Sequence, residues 1–285
     1  SSGRASYTET EKGITVKANG RTFVFSKKDG QLKDVSVNNR KISFANGPRF
    51  IGARRADRSL DQFYNHDDEK AKAKDRTYSE FTDAAVFTKL DVKEEGGNLI
   101  LTANYKLGNL DKAQWTIHPD GMATLDYTYN FSGVVDLMGI CFDYPEEQVL
   151  SKRWLGAGPY RVWQNRIHGT QYDIWENDYN DPIPGETFTY PEFKGYFGSV
   201  SWMSIRTKEG TISLTNETPD SYIGVYQPRD GRDRLLYTLP ESGISVLNVI
   251  PPVRNKVNST DLCGPSSQPK WVDGSQTGRL VIRFE

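Results

Sequence analysis

The sequence predicts an all-β protein of many antiparallel strands. Three observations carry this: hydrophobic residues alternate with period two through much of the chain, tight-turn signals separate the alternating runs, and no amphipathic helix exceeds about ten residues. In MATLDYTYNF (122–131), Ala123, Leu125, Tyr127, Tyr129 and Phe131 share one face, while Thr124, Asp126, Thr128 and Asn130 share the other. NLILTANYKL (98–107) places Leu99, Leu101, Ala103, Tyr105 and Leu107 together in the same way. Such runs are strands with one face on a core.

The turns come next. KKDGQ (27–31), EEGGN (94–98), HPDGM (118–122) and KEGT (208–211) are turn signals, the first three with the Asp-Gly and Gly-Gly pairs that adopt positive φ in tight hairpins. RTFVFSKKDGQLKDVSVNN reads as strand, turn, strand, and TISLTN, YIGVYQ, ISVLNVI and RLVIRF extend the pattern. Alternation in SVSWMSI predicts a buried Trp202. HDDEKAKAKDRTY (66–78) is polar all round, so it is expected to be an exposed loop or a short surface helix. Residues 54–80 and 176–196 read as two long surface loops on one domain. The opening SSGRAS reads as a junction remnant, placing residues 1–12 outside the fold and a single domain over 13–285.

Composition bounds the function. The chain has 285 residues, net charge −1 and 36% hydrophobic content, enough for a sizeable core and without a basic face. Nucleic acid and anionic membranes are therefore not expected partners. No apolar run approaches the roughly 20 residues that span a bilayer. Cys141 and Cys263 lack metal-type spacing and are expected to be two separate buried thiols, with a disulfide as the alternative.

Catalytic motifs are sparse. There is no G-x-S-x-G elbow, and His66, His118 and His168 do not assemble a triad. His118 is expected in an exposed turn, His66 in solvent, and His168 as a hydrogen-bonded structural residue. No Cys/His cluster suits zinc, and no cofactor is expected. Calcium is the one metal the composition leaves open, through Glu176, Asp178, Asp181 and backbone carbonyls. GAGP (156–159) lacks the Lys-Ser/Thr and following helix of a phosphate cradle. Paired carboxylates for glycoside hydrolysis can be drawn from Glu176, Asp178, Glu186 and Glu192, but a sequence with 37 acidic residues always offers pairs.

Aromatic residues are more informative. WLGAGPYRVWQNRIHG (154–169) opens a stretch dense in Trp, Tyr and Phe beside Asn, Asp, Arg and Glu. That is the composition of a sugar site, where rings stack on C–H faces and a few polar groups take hydroxyls. Arg161, Trp163, Asn165, Arg166 and Trp175 are the candidate binding residues here. Gly156, Gly158 and Pro159 are expected to form a tight turn leaving a strand near Trp154. The competing reading is that the rings pack long loops onto the sandwich.

VLSKRWLGAGPYRVWQNRIHG also resembles the W-x-G-x-G-P…R segment in the C-terminal domain of family 2 glycoside hydrolases, the β-galactosidase small-chain domain. FVFSKKDGQLKDVSVNNRKI with ANGPRFIGARRAD, then MGICFDYPEE, then YPEFKGYFGSVSWMSI are similar to further segments of that family, in the same order. The resemblance implies a β-supersandwich of the galactose-mutarotase-like type, with large antiparallel sheets and long loops. It implies a non-catalytic domain of a longer β-galactosidase-like hydrolase whose acid/base and nucleophile glutamates sit on a separate barrel. The oligosaccharide or polysaccharide substrate and that barrel are then the expected partners, and a periplasmic or secreted setting fits such an enzyme. In the family a C-terminal tryptophan stacks on the substrate sugar. Trp271, in CGPSSQPKWVDGSQTG, is the nearest match, and local packing is its competing role. An autonomous carbohydrate-binding module and a mutarotase-like or epimerase-like enzyme are the alternative functions.

Overall fold

The computed structural model describes residues 3–55, 78–178, 195–225, 239–252 and 264–285. The strands follow in chain order as β1 (Ser6–Glu9), β2 (Gly13–Ala18), β3 (Arg21–Ser26), β4 (Leu32–Val37), β5 (Arg40–Ile42), β6 (Ala45–Arg55) and β7 (Tyr78–Glu80). Next come β8 (Val86–Glu95), β9 (Asn98–Lys106), β10 (Leu110–Ile117), β11 (Ala123–Val135), β12 (Leu137–Asp143), β13 (Val149–Gly158) and β14 (Gln171–Asp178). The last are β15 (Phe197–Gly198), β16 (Trp202–Thr207), β17 (Thr211–Asn216), β18 (Tyr222–Gly224), β19 (Ile244–Val249) and β20 (Lys270–Phe284). Among the described residues no helix is long and apolar enough to cross a membrane.

Two sheets result. One runs β1-β2-β3-β4-β6-β12-β19-β18-β15, with β5 on β4 and β7 on β6; the other runs β14-β13-β16-β17-β20-β11-β10-β9-β8. The longest seam pairs β11 with β20 from Ala123↔Ile282 to Val135↔Lys270. Gly30, Gly97, Gly121 and Gly210 take positive φ in the four predicted turns, so the turn chemistry acts as expected.

The sheets face each other across a core to which the alternating residues contribute: Leu99, Leu101, Ala103, Leu125, Tyr127 and Tyr129 are all buried there. Aromatic rings join the two layers. Phe25 of β3 meets Trp115 of β10 edge-on at 5.9 Å, and Trp115 meets Phe142 of β12 at 5.9 Å. Phe142 stacks on Phe44 at 4.4 Å, and Phe44 meets Phe284 of β20 at 5.2 Å. A second cluster lies on the other face of the first sheet, where Ile51, Ala53, Leu137, Cys141 and Leu247 are covered by Val162, Trp163 and Tyr196. Strand β12 is thus packed on both faces, which explains why LMGICF is buried without interruption.

Several expectations change. Ser6–Glu9 pairs with Ile14–Lys17 and Ala5 is buried, so the fold reaches upstream of the expected boundary at residue 13. Trp202 is only half-buried, because Met203 takes the core position and turns Trp202 to the outer face. Leu107 lies beyond the end of β9 with φ 72° and is exposed. Cys141 is a free, buried thiol; Cys263 and His66 lie outside the described residues, as does most of 54–80.

Phe142→Ala should lower unfolding stability by about 3–5 kcal/mol in chemical denaturation, because it empties the centre of the ring chain. Burial pushes the Cys141 thiol up to about 12, with the Arg49 charge partly opposing. The native state therefore holds this proton to higher pH than the unfolded chain, and the associated stability is lost as pH rises from about 9 toward 12. In a Cys263→Ser variant at pH 8, Cys141 should resist an aromatic disulfide reagent until denaturant is added; rapid native labelling would contradict its burial.

Candidate functional site

The W-x-G-x-G segment does not form the expected turn. Strand β13 runs straight through both glycines, pairing Gly156 with Asp173 and Gly158 with Gln171. Close approach is the reason for glycine. A Cβ on Gly156 would stand 3.0 Å from the carbonyl oxygens of Gly198 and Ser199, and one on Gly158 would overlap the Trp175 indole. Pro159, lacking an N–H, ends the ladder.

Beyond Pro159 the chain crosses the end of the sandwich. Val162 exchanges backbone hydrogen bonds with Tyr196, and Trp163 and Arg166 close a tight turn, the Arg166 N–H reaching the Trp163 carbonyl at 2.9 Å. Gln164, not singled out in the sequence, anchors this turn: its Nε2 donates to the carbonyls of Ser266 and Gln268, each at 2.7 Å. A lone Gln in an aromatic run carries no sequence signal of such a role.

The candidate sugar-binding residues separate into three environments. Trp163 is buried (1% exposed), edge-on to Tyr196 at 5.7 Å, and Arg161 is buried as well. Neither presents a surface to a sugar, because the second cluster needs a cover and the segment supplies it. Trp175 is half-buried on Gly158, and its Nε1 donates to the Gly156 carbonyl at 3.2 Å and the Gln171 carbonyl at 3.1 Å. These three act as folding devices. Asn165 and Arg166 sit at the turn, Asn165 half-buried and Arg166 exposed.

Trp271 stands apart, 70% exposed near the start of β20 and opposite Val134. Alternation along β20 puts Leu280, Ile282 and Phe284 in the core, so Trp271 faces outward and its neighbour Lys270 inward. Next along that outer face, Asp273 accepts a hydrogen bond from the Ser132 hydroxyl at 2.6 Å.

A cavity of about 490 Å³ opens where Val162 and Thr170 meet Ser199, Asp220, Tyr222, Asn248 and Lys270. Among the described residues no histidine lines it. His118 bonds Thr124 through Nε2 at 2.9 Å in its turn, and His168 is exposed rather than held in a network. Of the calcium candidates, Glu176 and Asp178 lie on β14, and Asp181 lies outside the described residues. The Asp178 carbonyl takes a hydrogen bond from the buried Lys152 ammonium, which sets a positive charge beside it. Among the described residues no group of three or more His, Cys, Asp or Glu is placed to hold a metal.

Two layered sheets of this order, with loops covering one outer face, define a galactose-mutarotase-like β-supersandwich. The model of the β-galactosidase small-chain family matches residues 17–248, and the chain belongs to that family. Among solved structures it is similar to galactose 1-epimerase from Lactobacillus acidophilus, at 9% identity and TM-score 0.50, covering 99% of this chain and 98% of that one. It is also similar to α-N-acetylgalactosaminidase from Bifidobacterium bifidum, at 12% identity and TM-score 0.45, over 95% of this chain and 36% of that one. A third is a putative aldose 1-epimerase from Escherichia coli, at 12% identity and TM-score 0.41, over 99% of each chain. At such identities the first of these shows a shared fold. No curated protein sequence matches the chain.

Gly158→Ala should displace the Trp175 indole and cost about 1–3 kcal/mol through overpacking. Tryptophan fluorescence should shift toward that of a more solvated ring, and an unchanged spectrum and melting temperature would count against the close-approach account.

Proposed function

We propose that the chain is the non-catalytic small-chain domain of a β-galactosidase-like glycoside hydrolase, packing on a catalytic barrel and shaping access of a sugar to it. The family match over residues 17–248 carries this reading. The outer face of the second sheet supplies physical support. Leu155 lies directly between Ile174 and Trp202 on that face, with Tyr172 two residues along β14. Tyr172 is 58% and Ile174 47% exposed. An apolar strip of this kind on an edge strand suits burial against a neighbouring domain. The outward Trp271 belongs to the same sheet and is the candidate to reach a sugar held by that neighbour. Autonomous glycan binding is the second reading, favoured only by this exposed indole.

An epimerase-like activity is less well supported. Proton transfer at an anomeric centre needs an acid and a base in one cleft, and no histidine among the described residues lines the cavity beside Lys270.

The purified chain should not hydrolyse nitrophenyl β-galactoside by itself. Mixed with the separately produced barrel of its parent enzyme it should form a stable complex on size-exclusion chromatography, and Ile174→Ser with Trp202→Ser should dissociate it. Trp271→Ala should leave the complex intact and raise KM. Hydrolysis or anomer interconversion by the chain alone would refute the proposal.

A further inference from the structure

We propose that the cavity walled by Ser199, Asp220, Tyr222, Asn248 and Lys270 is a binding site for an uncharged pyranose, separate from the outward face that carries Trp271. The choice of a sugar rests on the family reading above; the existence of a site rests on the cavity itself. Its volume, about 490 Å³, lies in the range of small-ligand pockets.

The polar groups are supplied by elements of both sheets, and one of them, Asn248, is held by a bond behind it. The Tyr129 hydroxyl, rooted in the core, donates to Asn248 Oδ1. That bond orients the amide and leaves the two Nδ2 hydrogens without an acceptor among the described residues, at a cavity wall. Alternation along β20 puts Lys270 on the face opposite Trp271, where it lines the cavity with its side chain exposed, and its ammonium makes no hydrogen bond or ion pair among the described residues. The Asp220 carboxylate is likewise without a hydrogen bond or ion pair there, and its charge, after burial, raises the neighbouring Tyr222 hydroxyl above the usual phenol range. Tyr222 packs its ring on the second cluster, which makes it a firm wall.

Backbone strain adds to this. Ser199 and Asp220 both adopt φ 49°, a left-handed conformation that costs a non-glycine residue energy. Among the described non-glycine residues with positive φ, only these two and Leu107 are not asparagine, and both line this cavity.

The lining also selects its ligand. One cation and one anion cancel, so neither a uronate nor a phosphate is favoured over a neutral molecule. Amide donors, a carboxylate acceptor and an ammonium suit vicinal hydroxyls, each of which donates and accepts. An aromatic wall suits a C–H face.

Saturation-transfer NMR and calorimetry on the intact chain test this with methyl β-galactopyranoside, lactose, glucuronate and inorganic phosphate. Neutral sugars should bind, and Lys270→Met and Asn248→Asp should each weaken them by about tenfold or more. Both positions are solvent-accessible, and thermal melts verify that each variant folds. Trp271→Ala should leave this binding unchanged. No binding of any neutral sugar, preferential binding of glucuronate or phosphate, or binding lost in Trp271→Ala but kept in Lys270→Met would each overturn the site. None of these outcomes bears on complex formation with a barrel, so the two proposals fail separately.

Discussion

The line of rings from Phe25 through Trp115, Phe142 and Phe44 to Phe284 is the contact on which the two layers depend. Each sheet alone would expose an apolar face too large to remain in water. The rings bury it in one continuous seam, drawing on β3, β12, β10 and β20, elements far apart in the chain. Aromatic side chains bury the most area per residue, and edge-on pairs add a further increment beyond burial. With this seam in place, the outer faces and sandwich ends are free to carry loops and sites.

Closeness is the second constraint. Where β13 meets the β15–β16 connection and β14, backbone and indole come so near that Gly156 and Gly158 tolerate no side chain. The glycine-rich segment that looks like a turn is therefore a strand made thin. Its neighbours Arg161, Trp163 and Trp175 are spent on covering the second cluster and lying against that thin strand. The ring density that suggests a sugar lip is, for these residues, the material of a lid on the fold.

The polar groups best placed for a ligand belong to elements with quiet sequences. Asn248 sits within ISVLNVI, a run that reads only as a strand, and Lys270 is overshadowed by the tryptophan beside it. Nothing in either stretch marks a site, because the signal is their meeting across the mouth between two sheets. Asp220 and Ser199 add a backbone conformation that residue type alone does not reveal.

Period-two alternation and Asp-Gly or Gly-Gly turns determined the alternating strands such as β3, β9, β11 and β17 by themselves, since one face must be buried and tight hairpins need positive φ. The order of family segments likewise made the small-chain family legible. Tertiary structure decided what local patterns leave open. Which of two adjacent residues, Trp202 or Met203, enters the core depends on register with partner strands. Whether an aromatic is a wall, a cover or an exposed surface depends on what lies over it. Trp163 and Trp271 have similar polar neighbours in sequence, yet one is buried in the second cluster and the other stands in solvent.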